Sequence, residues 1–469
     1  MAEQVDIVIV GLGTAGEDLG LRLLDAGLDV VGIDPALVGG ECPYWACIPS
    51  KMMIRATSML AEARRVDGYA GHADVATDWT PVARRIREQA TGGWDDTVAV
   101  SRFEERGGHF VRGRARFDGG DTVVVDGDRF RARSGFVVST GSSPAIPPIP
   151  GLGDVGYWTT HDAVRVESLP RSLTVLGGGA VGCELGQVFA RFGVEVSIVE
   201  GSDRLLPREE PIAGELLAEV LRREGIAVEV GRAVERVART GNEVTVSLEG
   251  GGDIAAQRLL VATGRTVDLD GLGLETTRVD WSSGFVGVDE RLRAADGIWA
   301  IGDVTGKGMF THVALYQSAI VAADVLGGDP PPATYHALPR VTFTEPEVGA
   351  VGTTEDEARA AGLDVAVVQK QVAGTFRGWV QGPGNEGVIK LVADRGAGVL
   401  VGATAVGPHS GEVLSMLTTA VHAKLPVATL RHMIYAFPTF HGGVGEALGA
   451  YGRGTATVLD PGAAPLLEP

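Results

Sequence analysis

Two of the chain's three cysteines, Cys42 and Cys47, stand with four residues between them in the stretch Gly39–Lys51, GGECPYWACIPSK. A thiol pair at that spacing can be half of a metal site, an accident of a long chain, or a redox disulfide. A metal site needs two further soft ligands, and the sequence has no second cysteine pair, so no metal is assigned. Position argues against accident. The pair follows the run Gly11-Leu12-Gly13-Thr14-Ala15-Gly16 and a strand ending in Asp34, which is where a flavin ring held by such a motif would lie. Lys51 comes four residues after Cys47, so on a helix it shares that thiol's face and can stabilise a thiolate or a reduced flavin.

These groups need elements to position them. Val5–Val10 reads as a buried parallel strand, followed by the glycine run, a helix through Leu24, a stop at Gly27 and a strand Val30–Ile33. Gly11, Gly13 and Gly16 let the backbone approach a pyrophosphate at the helix N-terminus, and Asp34 can accept hydrogen bonds from a ribose diol. A second unit opens at Leu173. It carries Gly177, Gly179 and Gly182, then a helix, then a strand ending at Glu200. Two complete fingerprints imply two dinucleotides. A carboxylate at Glu200 suits a ribose 2′-hydroxyl and repels a 2′-phosphate, whereas Arg204, four residues on, could meet that phosphate instead.

The remaining chain is read more coarsely. Its 469 residues allow about three domains, and 45% hydrophobic with 22% charged residues is ordinary for a protein with several buried sheets. A net charge of −19 argues against nucleic acid and acidic membrane surfaces as partners. Val5–Val10 is too short to span a membrane and no basic leader precedes it; three cysteines make no secreted-type disulfide framework, so a cytoplasmic protein is expected. Helices are expected over Met52–Val66 and Pro81–Ala90, and β-meanders over His109–Val138 and Glu243–Leu260. Pro147, Pro148 and Pro150 make a stiff crossing between domains. Strands Gly387–Val392 and Val399–Val406 and a helix Gly411–Lys424 complete a third region.

The redox stretch resembles the pattern GGTCxxxGCxPSK of the class I pyridine nucleotide-disulfide oxidoreductases, with Glu41 in place of threonine, Ala46 in place of glycine and a bulky Pro43-Tyr44-Trp45 between. The likeness extends to Ala262-Thr263-Gly264-Arg265, Gly297–Asp303, Thr311–Ala314 and Phe343–Glu347, and so covers nearly the whole chain. It implies an α/β fold of two Rossmann-like dinucleotide-binding domains with β-meanders plus a C-terminal α+β dimerisation domain. The implied boundaries are an FAD-binding domain at 1–150 and 271–333, an NAD(P)H-binding domain at 151–270, an interface domain at 334–456 and a flexible tail at 457–469. It further implies FAD at the first fingerprint and NAD(P)H at the second, where the Glu200 carboxylate favours NADH over NADPH. Cys42 would be the interchange thiol and Cys47 the thiol facing the flavin, with Glu184 pairing Lys51. Thr140, Gly141, Gly264, Gly302, Asp303, Thr311 and Ala314 fall on the family's cofactor motifs. His312 is expected as scaffolding and Cys183 as a buried packing residue. A homodimer would complete each active site across its interface, around a small-molecule acceptor that the sequence does not name.

One motif breaks. The family's HPTxxE reads here Phe437-Pro438-Thr439-Phe440-His441-Gly442, so phenylalanine stands where the proton-transferring histidine belongs. Glu446 would supply the acid if the turn were four residues longer. His441 is the nearest titratable candidate for proton transfer, with Tyr44 as the alternative. Phe440, Trp45 and Tyr44 are expected to make the acceptor pocket apolar and crowded. No cysteine follows Cys183, which removes the C-terminal thiols that some relatives use. The leading expectation is an FAD-dependent oxidoreductase passing hydride from NAD(P)H to the Cys42–Cys47 pair and on to an unidentified acceptor. A quinone-type flavin reductase that bypasses the thiols, and a non-enzymatic FAD-bearing redox partner, compete with it.

Overall fold

The computed structural model describes residues 2–451 and, in backbone, residues 458–459. Glu3–Val10 is the central strand of the first sheet, and its inner residues Ile7, Val8 and Ile9 are fully buried. It pairs in parallel with Val30–Asp34 on one side and Asp128–Val138 on the other. Ile298–Ala300 then extends the sheet in parallel beyond Asp128–Val138, so the chain returns here after the second domain. The helices Thr14–Asp25 and Thr311–Val325 pack against each other.

The stretch His109–Val138 is not the meander that its short alternating segments suggest. His109–Arg112 pairs in parallel with Val30–Asp34, and only Arg116–Phe117, Val123–Val125 and the first part of Asp128–Val138 form antiparallel pairs. The reason lies in burial. Asp128–Val138 alternates at its start, but its last four residues are buried on both faces, as a central parallel strand requires.

The second domain has four parallel strands in the order Ala227–Val230, Glu195–Glu200, Ser172–Leu176, Arg258–Val261. Its meander is Val234–Thr240, Glu243–Leu248 and Asp253–Ala256. Arg258–Val261, expected as the meander's last strand, instead closes the parallel sheet, being almost wholly buried. The two crossings between domains pair with each other, Ser143–Pro144 against Arg265–Thr266.

The third domain is an antiparallel sheet with Val399–Gly407 at its centre, covered by Ser410–His422 and Phe440–Leu448. Val458–Leu459 pairs with Gln369–Lys370, whereas the rest of the 457–469 segment expected as a tail lies outside the described residues. Charged groups join this domain to the second. Arg191, 5% exposed, bonds Glu224 through both Nε and Nη2 and reaches Glu345 at 2.7 Å. Lys390 Nζ meets Glu210 at 2.6 Å and Glu355 at 2.8 Å, and Arg340 takes Glu209 in a two-point contact at 2.9 Å.

Burial works against the Lys390 charge, but Glu210 and Glu355 outweigh it and hold its pKa above the ordinary lysine value. The contribution is therefore complete at neutral pH and fades only as pH rises through that raised pKa. Lys390→Met should lower stability by roughly 3–5 kcal/mol, because Glu210 is left as a buried charge without its partner. Glu210→Gln in that background should restore part of the loss. An unchanged urea midpoint for Lys390→Met would show that the pair contributes nothing.

Candidate active site

The redox segment is laid directly on the first glycine loop. Gly40 has φ 69°, and a Cβ there would stand 2.8 Å from Gly13 Cα. The Thr14 hydroxyl donates to the Gly39 carbonyl at 3.1 Å. Cys42 falls in the short helix Glu41–Tyr44, and Cys47 is the first residue of the helix Cys47–Arg64, which is longer at its start than the run Met52–Val66 suggests. Thr311, itself the first residue of Thr311–Val325, places its hydroxyl 3.3 Å from Cys47 Sγ. Two helix N-termini thus converge on one sulfur, and both favour negative charge.

Both thiols are free. The Cys47 thiol is held down to about 6 by the hydrogen bond from Cys42, helped by Thr311 and the Lys51 ammonium and opposed by burial. The same contact, together with burial, pushes the Cys42 thiol up. The contact thus favours the charged form at Cys47 and the protonated form at Cys42. Cys183 is fully buried, and burial pushes its thiol up as well, in keeping with a packing role. Lys51 Nζ lies 2.7 Å from Glu184 Oε2 and 4.9 Å from the centre of the Phe343 ring. The other Glu184 oxygen accepts the Phe343 N–H at 2.8 Å.

The two glycine loops repeat one construction. A Cβ on Gly11 would sit 2.3 Å from the Ser139 carbonyl oxygen, and one on Gly177 2.4 Å from that of Ala262. Gly16 and Gly182 are pressed as closely against Gly11 and Gly177. Asp34 accepts the N–H groups of Leu12 and Ala36, each at 2.7 Å, while burial raises its pKa. Glu200 accepts those of Gly178 and Ser202, again at 2.7 Å. Arg204 is turned elsewhere, to Asp203 at 3.0 Å and the Pro207 carbonyl at 3.1 Å.

Asp303 accepts from the Ser142 hydroxyl, and burial raises its pKa. Gly302, at φ 79°, is pinned by Gln317, whose Oε1 accepts the Gly302 N–H at 2.6 Å. Gln317 is fully buried and had no motif to mark it in the sequence. Gly141 and Gly264 also adopt positive φ, at 71° and 119°, and Ala314 is buried behind the Thr311 helix start. Thr140 Oγ1 is buried without a hydrogen-bond partner, and Glu41 Oε2 faces Arg265 Nη2 at 3.2 Å. The narrow glycine approaches and the strand-end carboxylates Asp34 and Glu200 fit a dinucleotide at each loop.

The connector between the thiols is fixed from outside. Trp45 stacks on His161 at 4.4 Å and on Trp94 at 5.9 Å, and the Arg165 guanidinium lies 4.2 Å from the Trp45 ring centre. Trp94 Nε1 donates to the Tyr44 carbonyl at 3.2 Å. Tyr44 is itself buried. These two aromatic residues therefore hold the connector rather than crowding an acceptor pocket, which corrects the sequence expectation. Trp94 pays for its place with φ 60°, after a π-helical turn Ile86–Ala90 within the expected helix Pro81–Ala90.

His441 is exposed on Phe440–Leu448, in the third domain, whereas the thiols belong to the first. Glu446 faces Lys370 at 3.4 Å and the Phe376 N–H at 3.5 Å, and no bond joins it to His441. Ile434 is 99% exposed and Phe437 73%, an apolar ridge ahead of that helix. His312 bonds the Pro339 carbonyl at 3.0 Å and stacks on Phe310, the scaffolding contact expected of it.

Residues 5–318 match the family model described as pyridine nucleotide-disulphide oxidoreductase, and residues 338–448 match the dimerisation domain of the same family. The chain is 33% identical to a dihydrolipoyl dehydrogenase of Thermus scotoductus over 97% of this chain and 99% of that one. It is 31% identical to a mercuric reductase of Bacillus cereus, covering 94% of this chain and 70% of the relative. Its structure superposes on that of the HOCl-induced flavoprotein disulfide reductase RclA from Escherichia coli with a TM-score of 0.84 at 29% identity, over 95% of this chain and all of that one. The chain belongs to the pyridine nucleotide-disulphide oxidoreductase family. As a member of this family it is an FAD-dependent oxidoreductase that takes a pyridine nucleotide, and the dimerisation domain makes a homodimer its assembly. It is an atypical member, with Phe437 where the family's HPTxxE pattern has histidine. Among the described residues no helix is long and apolar enough to cross a membrane, and no group of three or more His, Cys, Asp or Glu could hold a metal ion.

The thiol asymmetry has a direct consequence. In reduced Cys42→Ser protein, alkylation of Cys47 by iodoacetamide should rise through pH about 6 and level off above it. Cys42→Ala removes the hydrogen-bond donor and should move the inflection upward. An inflection near the ordinary thiol value of ~8.5 in the serine variant would sink the assignment of Cys47 as thiolate.

Proposed function

We propose that this oxidoreductase passes a hydride from NADH through FAD to the Cys42–Cys47 pair, and that the reduced pair delivers its electrons to a flat or apolar acceptor. FAD supplies the change from two-electron hydride acceptance to reduction of a disulfide. The chain's residues do the rest. Glu184 orients the Lys51 ammonium at 2.7 Å, and the two helix N-termini with Thr311 hold Cys47 as the anion. Cys42 is the interchange thiol. Its raised pKa means that it attacks only after a base removes its proton, and the thiolate that leaves the acceptor must be protonated in turn. His441 is the residue we assign to that exchange, across the dimer. The observation that carries the reading is the convergence of Lys51–Glu184 and two helix N-termini on Cys47.

Anaerobic titration with NADH tests it. A long-wavelength thiolate–flavin absorption should grow in at two-electron reduction, be lost in Cys47→Ser and stand permanently in Cys42→Ser. If both variants titrate as the parent does, the thiols are outside the circuit and direct reduction of a quinone-type acceptor by the flavin is the better reading.

NADH should be preferred over NADPH by about tenfold or more, which corresponds to only ~1.4 kcal/mol. Glu200 is a fixed carboxylate, and Arg204 is engaged with Asp203 and Pro207. Glu200→Ala should narrow the ratio in steady-state assays with an artificial acceptor, and equal use of both cofactors by the parent would refute this role of Glu200. The acceptor reading rests on Phe437 and Ile434, which offer apolar surface where a charged tripeptide would need polar partners. His441→Gln should slow oxidative turnover while leaving flavin reduction by NADH intact. Rapid turnover of glutathione disulfide or lipoamide by the parent would overturn the acceptor assignment.

A further inference from the structure

Lys51 is a point charge on a flexible four-carbon stem, and one carboxylate contact fixes its distance better than its direction. Glu184 Oε2 makes that contact at 2.7 Å, and the Ser50 hydroxyl adds a weak one at 3.4 Å. The Lys51 side chain stays 38% exposed, so water competes for its remaining donors. A further restraint comes from the third domain. Phe343 follows the strand Pro339–Thr342, and its ring centre lies 4.9 Å from Lys51 Nζ. That is inside the ~6 Å over which an aromatic face attracts a cation.

The backbone that carries this ring is tied to the helix Ala180–Arg191 at two points. The Phe343 N–H donates to Glu184 Oε1 at 2.8 Å. Two residues on, the Glu345 N–H donates to Gln187 Oε1 and the Glu345 carbonyl accepts from Gln187 Nε2, both at 2.8 Å. Between them Thr344 is buried and donates its hydroxyl to the Pro346 carbonyl at 2.9 Å. Phe343 thus meets both members of one ion pair, the carboxylate through its N–H and the ammonium through its ring. The effect reaches the sulfur one helical turn away. Behind the Cys42 contact and Thr311, and against burial, the Lys51 ammonium lowers the Cys47 pKa.

We propose that Phe343 is a positioning residue of the redox centre, its ring face holding the Lys51 ammonium where it stabilises the charge on Cys47. The third domain then takes part in the chemistry of its own chain's thiols. The proposal rests on the reading of Cys47 as the thiolate of the circuit. A leucine at 343 keeps the N–H for Glu184 and much of the apolar volume, but it has no π-face to offer a cation. A tyrosine keeps all three.

Reduced Cys42→Ser protein reports on this, because Cys183 is fully buried and Cys47 is then the thiol open to iodoacetamide. In that background Phe343→Leu should move the alkylation inflection upward by roughly 0.5 pH unit, about a threefold loss of thiolate below it. Phe343→Tyr should keep the inflection of its background. Lys51→Met should move the inflection upward by itself, and Phe343→Leu added to it should change nothing more, since no cation is left for the ring to hold. An equal shift from Phe343→Leu with and without Lys51 would reveal a merely structural role and overturn the proposal, as would no shift while Lys51 is present. An inflection near the ordinary thiol value of ~8.5 in the serine background itself overturns the thiolate reading first, and the proposal with it.

Discussion

The buried carboxylate of Glu184 fixes the geometry on which the other parts of the site depend. One oxygen takes Lys51 of the redox helix, the other the Phe343 N–H of the third domain, and the residue itself sits on the helix that leaves the second glycine loop. Gln187 and Arg191 lie three and seven positions on, on the same helical face. The Gln187 side-chain amide pairs with the Glu345 backbone as a strand would, giving to its carbonyl and accepting from its N–H, both at 2.8 Å. Arg191 then reaches the Glu345 carboxylate, which Arg65 of the redox helix also meets. Buried ion pairs of this kind contribute little net stability against well-packed apolar residues. What they supply is register: a nucleotide on the second loop, the Lys51 ammonium and the Cys47 sulfur cannot drift independently.

The two dinucleotide loops reach the same arrangement from different acids. In each, a carboxylate at a strand end accepts one N–H from the glycine loop and one from the turn that follows its own strand. The acid is therefore fixed before any ligand arrives, as a site built for selectivity needs. At the second loop this matters most, since a carboxylate locked by two backbone donors cannot swing away from a 2′-phosphate.

Legibility in the sequence followed the range of the constraint. The glycine fingerprints, Asp34, Glu200 and the thiol pair were readable because each answers to a local demand of turn, helix start or strand end. The parallel pairing of His109–Arg112 and Arg258–Val261 was not, because strand partners are chosen by burial at long range. Gln317 and His161 carry no periodic or motif signal at all; their partners Gly302 and Glu41 lie 15 and 120 positions away. Glu41 was visible as a departure from a pattern, but only the fold shows Arg265, Ser142 and Asp303 around it. Trp94 illustrates the same limit, since no single-sequence rule places an aromatic residue at φ 60°. The π-helical turn before it and the stack on Trp45 hold it there together.

The chemistry of the pair then turns on one proton. The contact between the thiols lowers the Cys47 pKa and raises that of Cys42, so in the proposed circuit what prepares one thiol for the flavin disarms the other toward the acceptor. A family histidine resolves this conflict elsewhere by moving the proton, and phenylalanine at 437 cannot. Tyr44 is no substitute: it is buried, and burial raises its pKa away from the neutral range. The helix that follows Phe437 carries His441 on its exposed side, while Glu446 is committed inward to Lys370. In the role proposed for it, His441 has no carboxylate bonded to it among the described residues, unlike the family's histidine–glutamate pair. Proton transfer by such a group is less directed, and an acceptor whose reduced form needs no immediate protonation at sulfur relieves that demand. The loss of the histidine and the exposed apolar ridge at Ile434 and Phe437 thus argue in the same direction, away from polar disulfides.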